Sequence, residues 1–213
     1  MPVHARELLQ LTLAIVKPHV IKAPHALQSV RDTILLNGFY VLKTERFKWS
    51  REQAEAFYEE HKKRFFYERL VTFMCSGPFD VHVLARENAV QMWRDIMGPT
   101  KVFQAQYTHP ETIRGWCGLS DTRNATHGSD SSTSAAREIE LFFPNFNISE
   151  WYNNEAEQFH NGHIEFDCEE FTHRILGSYK EYNSNIISQL FVNKLNKDQG
   201  GGSNAGGKYK IHH

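Results

Sequence analysis

Apolar and polar positions alternate along the chain with two periods, and the change from one to the other marks out the elements. "LTLAIV", Leu11 to Val16, is a short apolar run closed by Lys17-Pro18 and reads as a buried strand. From Ala26 to Leu36 apolar residues recur at helical spacing and stop at Asn37-Gly38, a helix C-terminal signal. Phe39 to Trp49 alternates loosely and reads as a second strand. Ser50 with Gln53 makes a capping box opening a helix to about His61, and Phe66 to Met74 reads as another short helix. Val81 to Arg86 is a third strand, and Asn88 to Met97 a helix ended by Gly98-Pro99. Thr100 to Arg123 is a long irregular stretch of the kind that usually carries function. Ala125 to Gly128 is a short fourth strand, followed by a helix from Ser131 to Phe143 with Ala135, Ile139 and Phe142 on one face.

This order contains β-α-β-β-α-β. The fold class it predicts is α+β, a ferredoxin-like plan with a four-stranded antiparallel sheet and helices on one face. After Pro144 the chain turns to Asn, Glu, His and Gly with scattered apolar positions. The expected organisation is an N-terminal lead over 1–10, a folded domain over 11–145 and an irregular C-terminal extension over 146–213. Ser149 to Phe159 and Asn185 to Leu195 read as short amphipathic helices, and "QGGGSNAGGK" as a flexible tail. Trp151, Phe159 and Phe166 are the extension's candidates for covering apolar surface of the domain.

Charge narrows the function. A formal net charge of −1 lacks the positive bias of a nucleic-acid binder, so an anionic ligand must be held by a local basic cluster. The three cysteines form no CxxC pair and suggest a reducing compartment. The longest nearly apolar run, Leu8 to Val16, is broken by Gln10 and Thr12 and is too short to span a bilayer. Its flanks lack a signal peptide's basic start and cleavage site, so an intracellular location, cytoplasmic or mitochondrial rather than secreted, is expected. The acceptor triplets Asn124-Ala125-Thr126 and Asn147-Ile148-Ser149 are then expected to stay unglycosylated. Two other patterns are weak. Gly202, Gly207 and Lys208 nearly complete a phosphate loop but lead into Tyr209, and the spacing of His160, His163, Cys168 and His173 fits no familiar zinc pattern.

The densest chemistry lies in "RNATHGSDSS", Arg123 to Ser132. A neutral imidazole has a ring nitrogen available for attack without a strong base, and a carboxylate on the other nitrogen fixes the tautomer. Glu138, on the next helix, can fold back onto His127 in that way, with Ser129 and Asp130 alongside. Lys17, Arg94 and Arg114 are isolated cations beside turns, a set suited to balancing charge at several oxygens of a polyphosphate. Bottom-up, these residues point to phosphoryl transfer through a histidine.

"TLAIVKP", "FYEEHKKRFFYERLVTFMCSGP", "AVQMWRDIMGPT", "TIRG" and "RNATHGSDS…SAAREIELFFP" together resemble the nucleoside diphosphate kinase family, in the family's order, across residues 11–144. "GPTKVF", "LSDTRNATHGSDS" and the appended C-terminus are most similar to its nucleoside diphosphate kinase 6 branch. The resemblance implies ping-pong exchange of the γ-phosphate between ATP or other nucleoside triphosphates and nucleoside diphosphates, with Mg²⁺ as cofactor. It makes His127 the residue transiently phosphorylated on its pros nitrogen, with Glu138, Ser129 and Tyr58 as support. Lys17, Arg94, Thr100 and Arg114 are implied as phosphate contacts, Phe66 as the aromatic stacking on the base and Asn124 as the contact to the sugar 3′ hydroxyl. Asp130 is the side chain implied near the metal, through water, with the phosphates holding most of the ion. No nucleic-acid partner and no membrane span are expected.

The chain also departs from the family pattern. "KPHV" puts His19 where an acidic residue is common, with an effect expected on the local loop rather than on chemistry. The Lys101–Glu111 loop is a few residues longer than usual and carries Val102, Phe103 and Tyr107. In typical members this loop contributes to the threefold contacts of a hexamer. The expectation here is a monomer, a dimer or a complex with a protein partner bound through that loop or the extension. The alternative function is a weakly active or inactive nucleotide-binding protein that acts through such a partner.

Overall fold

A computed structural model of the chain describes residues 8–177, and up to Ile175 they belong to one compact unit. The elements follow the alternation of the sequence. Strand β1 (Leu9–Val16) leads through the single turn α1 (Pro18–Ile21) into helix α2 (Pro24–Leu36) and strand β2 (Tyr40–Phe47). Helices α3 (Arg51–Phe57) and α4 (Tyr67–Met74) precede β3 (Phe79–Glu87), and α5 (Ala89–Met97) follows it. The Ser50–Gln53 capping box is present, with Ser50 N donating to Gln53 Oε1 at 2.9 Å. Strand β4 (Thr126–Gly128) and helix α8 (Ser132–Phe142) close the domain.

The sheet order is β2-β3-β1-β4, with every neighbouring pair antiparallel, which is the ferredoxin-like arrangement. One expectation about its faces is corrected. Helices cover both sides of the sheet, because β1 is buried on both. Leu9, Leu11, Leu13 and Ile15 enter a core with α3, α4 and α8, while Ala14 and Val16 enter a second core with α2 and α5. A strand that reads as a continuous apolar run is what two covered faces require.

The stretch from Thr100 to Arg123 is not irregular throughout. It contains helices α6 (Val102–Thr108) and α7 (Ile113–Cys117), with Asp121 accepting from the Val102 backbone nitrogen at 3.0 Å and Thr112 capping α7. Nor is the extension irregular up to Ile175. Helices α9 (Ile148–Asn154) and α10 (Ala156–His160) take the place of one expected helix, and a hairpin, β5 (Ile164–Asp167) with β6 (Thr172–Ile175), follows. Trp151 and Phe159 are buried in the first core, as their sequence suggested. Phe166 is instead partly exposed, and Phe171 supplies the third buried ring. Phe171 lies 4.7 Å from the Arg31 guanidinium and 5.5 Å from the His82 ring. His173 Nδ1 accepts from the Val41 nitrogen on β2 at 2.9 Å, which gives that histidine a structural partner. Asn185 to Leu195, the "QGGGSNAGGK" tail and Gly202 to Tyr209 lie outside the described residues. No helix among the described residues is long and apolar enough to cross a membrane.

Candidate active site

The end of β1 and the three residues of β4 hold His127. Their register puts His127 opposite Ile15, and Trp93 Nε1 donates to the His127 carbonyl at 3.1 Å. Gly128 has to be glycine, since a Cβ there would strike Trp93 and Met97. Ala125, fully buried, has φ of 68°, a left-handed conformation costly for a residue with a side chain, and its carbonyl accepts from Lys17 N at 2.9 Å. The backbone is therefore fixed on both sides of the histidine.

The His127 ring faces α8. Its Nε2 donates to Glu138, with the two carboxylate oxygens at 3.1 and 3.2 Å. Ser129 Oγ donates to the same carboxylate at 2.7 Å and accepts from Leu13 N at 3.3 Å. Burial acts to raise the Glu138 pKa, but the hydrogen bond and charge of His127, with Ser129, outweigh it and hold the carboxyl below its ordinary value. With the proton on Nε2, the lone pair is on Nδ1, the pros nitrogen, which takes no hydrogen bond among the described residues. Tyr58, at the end of α3, is buried with its hydroxyl unpartnered, and burial with the Glu138 charge pushes its pKa up. Phe57 meets the His127 ring edge-on at 5.6 Å.

The basic groups converge from other elements. Lys17 N-caps α1 at the end of β1, is almost wholly buried, and donates from Nζ to Asn124 Oδ1 at 2.6 Å. Burial first, and the Arg114 charge second, lower its pKa to about 7. Arg114, on α7, donates to the Gly98 carbonyl at 2.7 Å, the Thr126 carbonyl at 3.1 Å and Thr100 Oγ1 at 3.4 Å. Burial and the Arg94 charge bring the Arg114 pKa down to about 10. Arg94 is exposed on α5, and its charge acts on both Arg114 and Asp130. Lys17, Arg94 and Arg114 thus act on one another's charge, Lys17 and Arg114 bonding Asn124 and Thr126 in the segment that leads into His127.

Phe66 stands apart from the hydrophobic cores. Half-buried at the start of α4, it touches the rings of Phe65 at 5.5 Å and His61 at 5.7 Å. Two residues in this region were not singled out from sequence for a site role. The buried Trp93 indole N–H needs an acceptor and finds it in the His127 carbonyl. His19 was assigned only a loop effect, yet it contacts α7 directly.

Asp130 is exposed, and hydrogen bonds from Ser134 Oγ at 2.5 Å and Ser131 Oγ at 3.0 Å hold its carboxyl below the usual range. Among the described residues no group of three His, Cys, Asp or Glu forms a cage for a metal. A single ionised carboxylate of this kind suits Mg²⁺, which keeps several waters and needs only one or two protein carboxylates.

The family profile described as "Nucleoside diphosphate kinase" matches residues 10–148. The chain is 49% identical over 169 residues to nucleoside diphosphate kinase 6 of Xenopus tropicalis, covering 79% of this chain and 94% of that protein. To the Homo sapiens nucleoside diphosphate kinase 6 it is 46% identical over 170 residues, covering 80% and 91%. The solved nucleoside diphosphate kinase of Aquifex aeolicus superimposes with a TM-score of 0.61 at 38% identity, over 63% of this chain and 95% of that one. Sheet order, sequence and profile agree: the chain belongs to the nucleoside diphosphate kinase family of nucleotide-binding phosphotransferases, on its nucleoside diphosphate kinase 6 branch.

Proposed function

We propose that the chain is an active nucleoside diphosphate kinase that moves the γ-phosphate from a nucleoside triphosphate to a nucleoside diphosphate through phosphorylated His127. The observation that carries this reading is the Glu138 carboxylate on Nε2, which leaves the Nδ1 lone pair as the nucleophile. In the first half-reaction Nδ1 forms a bond to the γ-phosphorus as the bond to the β,γ-bridging oxygen breaks, and the diphosphate leaves with that electron pair. The Nε2 proton stays in its hydrogen bond to Glu138, so the positive charge gained by the ring is met by a carboxylate. In the second half-reaction a terminal oxygen of the acceptor diphosphate attacks the same phosphorus, and Nδ1 recovers its lone pair.

Lys17, Arg94 and Arg114, with the Thr100 hydroxyl, surround the place the phosphates take, and phosphoryl transfer depends chiefly on such positioning and charge neutralisation. Asn124, held by Lys17, is the group assigned to the sugar 3′ hydroxyl, and Phe66 stacks on the base. Stacking on an aromatic face tolerates any base, so broad base specificity follows. Mg²⁺, when bound, would supply neutralisation of phosphate charge, and Asp130 is the side chain that would hold it.

Incubation with labelled ATP and Mg²⁺ tests the reading. It requires an acid-labile phosphoprotein that transfers its label to GDP and that His127→Ala abolishes. The second reading, a weakly active protein dependent on a partner, is favoured by Phe103 and Tyr107, 76% and 81% exposed on α6. Labelling at a trace rate that rises only when a partner is added would select it.

A further inference from the structure

His19 lies where three elements meet. It sits within the single turn α1, two residues after Lys17, and its Nε2 donates to the Cys117 carbonyl at the end of α7 at 3.2 Å. Its ring also packs on Phe73 of α4, with centroids 5.6 Å apart. Each of these elements carries one of the ligand-facing groups: Lys17 caps α1, Arg114 lies on α7, and Phe66 caps α4. We propose that His19 is a positioning residue, whose hydrogen bond to Cys117 ties α1 to α7 and so sets the spacing of Lys17 and Arg114 around the phosphates.

Two features of the bond support this. Donation from Nε2 leaves Nδ1 as a bare acceptor, buried and without a partner, so the bond is retained despite the cost of an unsatisfied nitrogen. Two cations, Lys17 and Arg123, also act on the ring. Burial, with Lys17 and Arg123 nearby, lowers its pKa against the opposing effect of the Cys117 carbonyl, and the Cys117 thiol, pushed up by burial to about 11, is neutral. His19 is therefore neutral at neutral pH and acts as a hydrogen-bond donor, adding no further charge to the phosphate site. An acidic side chain at this position has no proton to donate to the Cys117 carbonyl and would repel it, so the link is particular to a donor.

The inference rests on Lys17 and Arg114 being phosphate contacts, and its test separates the two claims. ADP with Mg²⁺ is titrated calorimetrically into the full chain and into three His19 variants, each with its melting temperature measured. His19→Gln keeps an amide donor at comparable reach and is expected to bind within about twofold of wild type, whereas His19→Met fills the space against Phe73 without a donor and is expected to bind about tenfold more weakly. His19→Ala should match His19→Met in affinity while losing more thermal stability. Wild-type affinity in His19→Met overturns the positioning role and leaves the phosphate assignment standing. Failure of wild type to bind ADP overturns both.

Discussion

Both carboxylate oxygens of Glu138 lie within hydrogen-bond distance of His127 Nε2, and one of them also accepts from Ser129. The arrangement orients the ring and selects its tautomer, so weakening it should slow chemistry more than binding. Glu138→Gln keeps the shape but removes the charge that meets the phosphorylated imidazole. Labelling of His127 from ATP should slow by about 10- to 100-fold with nucleotide affinity nearly unchanged. A variant that loses affinity while labelling at the wild-type rate would show that Glu138 does something else.

Lys17 should give nucleotide binding a pH dependence of definite sign. In the free protein burial and Arg114 bring its pKa to about 7, so near neutrality a substantial fraction of the ammonium is deprotonated. Bound phosphate favours the charged form and raises that pKa. Between about 7 and the higher bound value, binding takes up a proton and affinity falls with rising pH, by up to about tenfold per unit; below about 7 this group contributes no slope. Calorimetry at one pH in buffers of different ionisation enthalpy should reveal the proton, and Lys17→Met should abolish it. A pH-independent affinity from 6 to 9 would mean that Lys17 does not meet the phosphates.

Substitution of Phe66 should separate base recognition from phosphate recognition. Its ring lies outside both cores, so Phe66→Ala should cost little stability. It should weaken ADP, GDP and CDP alike by roughly 1–3 kcal/mol, the worth of one stacked base. Inorganic tripolyphosphate, which has no base, is the control and should bind both proteins equally.

Much of the domain was legible in the sequence because its elements are long enough to display a period or are bounded by caps. Ser50 with Gln53, Asn37-Gly38 and Gly98-Pro99 each stop or start an element as read. Helices α6 and α7, with seven and five residues, are too short for helical periodicity to emerge, and Thr112, which caps α7, was the signal available. Of the site, His127, Glu138 and Ser129 lie close in sequence and could be linked by their spacing. The Lys17–Asn124 and Arg114–Thr126 contacts join segments that only the fold brings together, and the family resemblance supplied what local pattern could not. Phe171, the third buried ring of the extension, has φ of 51° between two strands, a position where a turn residue would be expected.

Assembly should differ from the hexamer of typical family members. The Lys101–Glu111 segment folds as α6 and turns Phe103 and Tyr107 outward, with ring centroids 5.7 Å apart. A close-packed interface tolerates few extra atoms, so these two exposed rings are expected to obstruct threefold packing. Light scattering at micromolar concentration should show a monomer or dimer, and a stable hexamer would count against the argument. Phe103→Ser with Tyr107→Ser should reduce self-association or partner capture without slowing His127 labelling.

The last prediction concerns the extension, whose buried rings cover apolar surface of the domain. Trp151 and Phe159 are 2% exposed and pack into the same core as Leu11, Leu13 and Ile15, the strand that positions His127. Phe171 is 4% exposed in the core on the other face, against Arg31 and His82. Replacing one such ring with alanine costs about 3–5 kcal/mol, a large part of the roughly 5–15 kcal/mol that holds a domain folded. Trp151→Ala should therefore lower the urea midpoint sharply while leaving labelling intact at low temperature, because the tryptophan touches no nucleotide group. Truncation after residue 147 removes all three rings and uncovers apolar surface on both faces of the sheet, so it should abolish stable folding and with it activity. A truncated chain that melts within a few degrees of the full one would show that β1 does not depend on the extension for its cover.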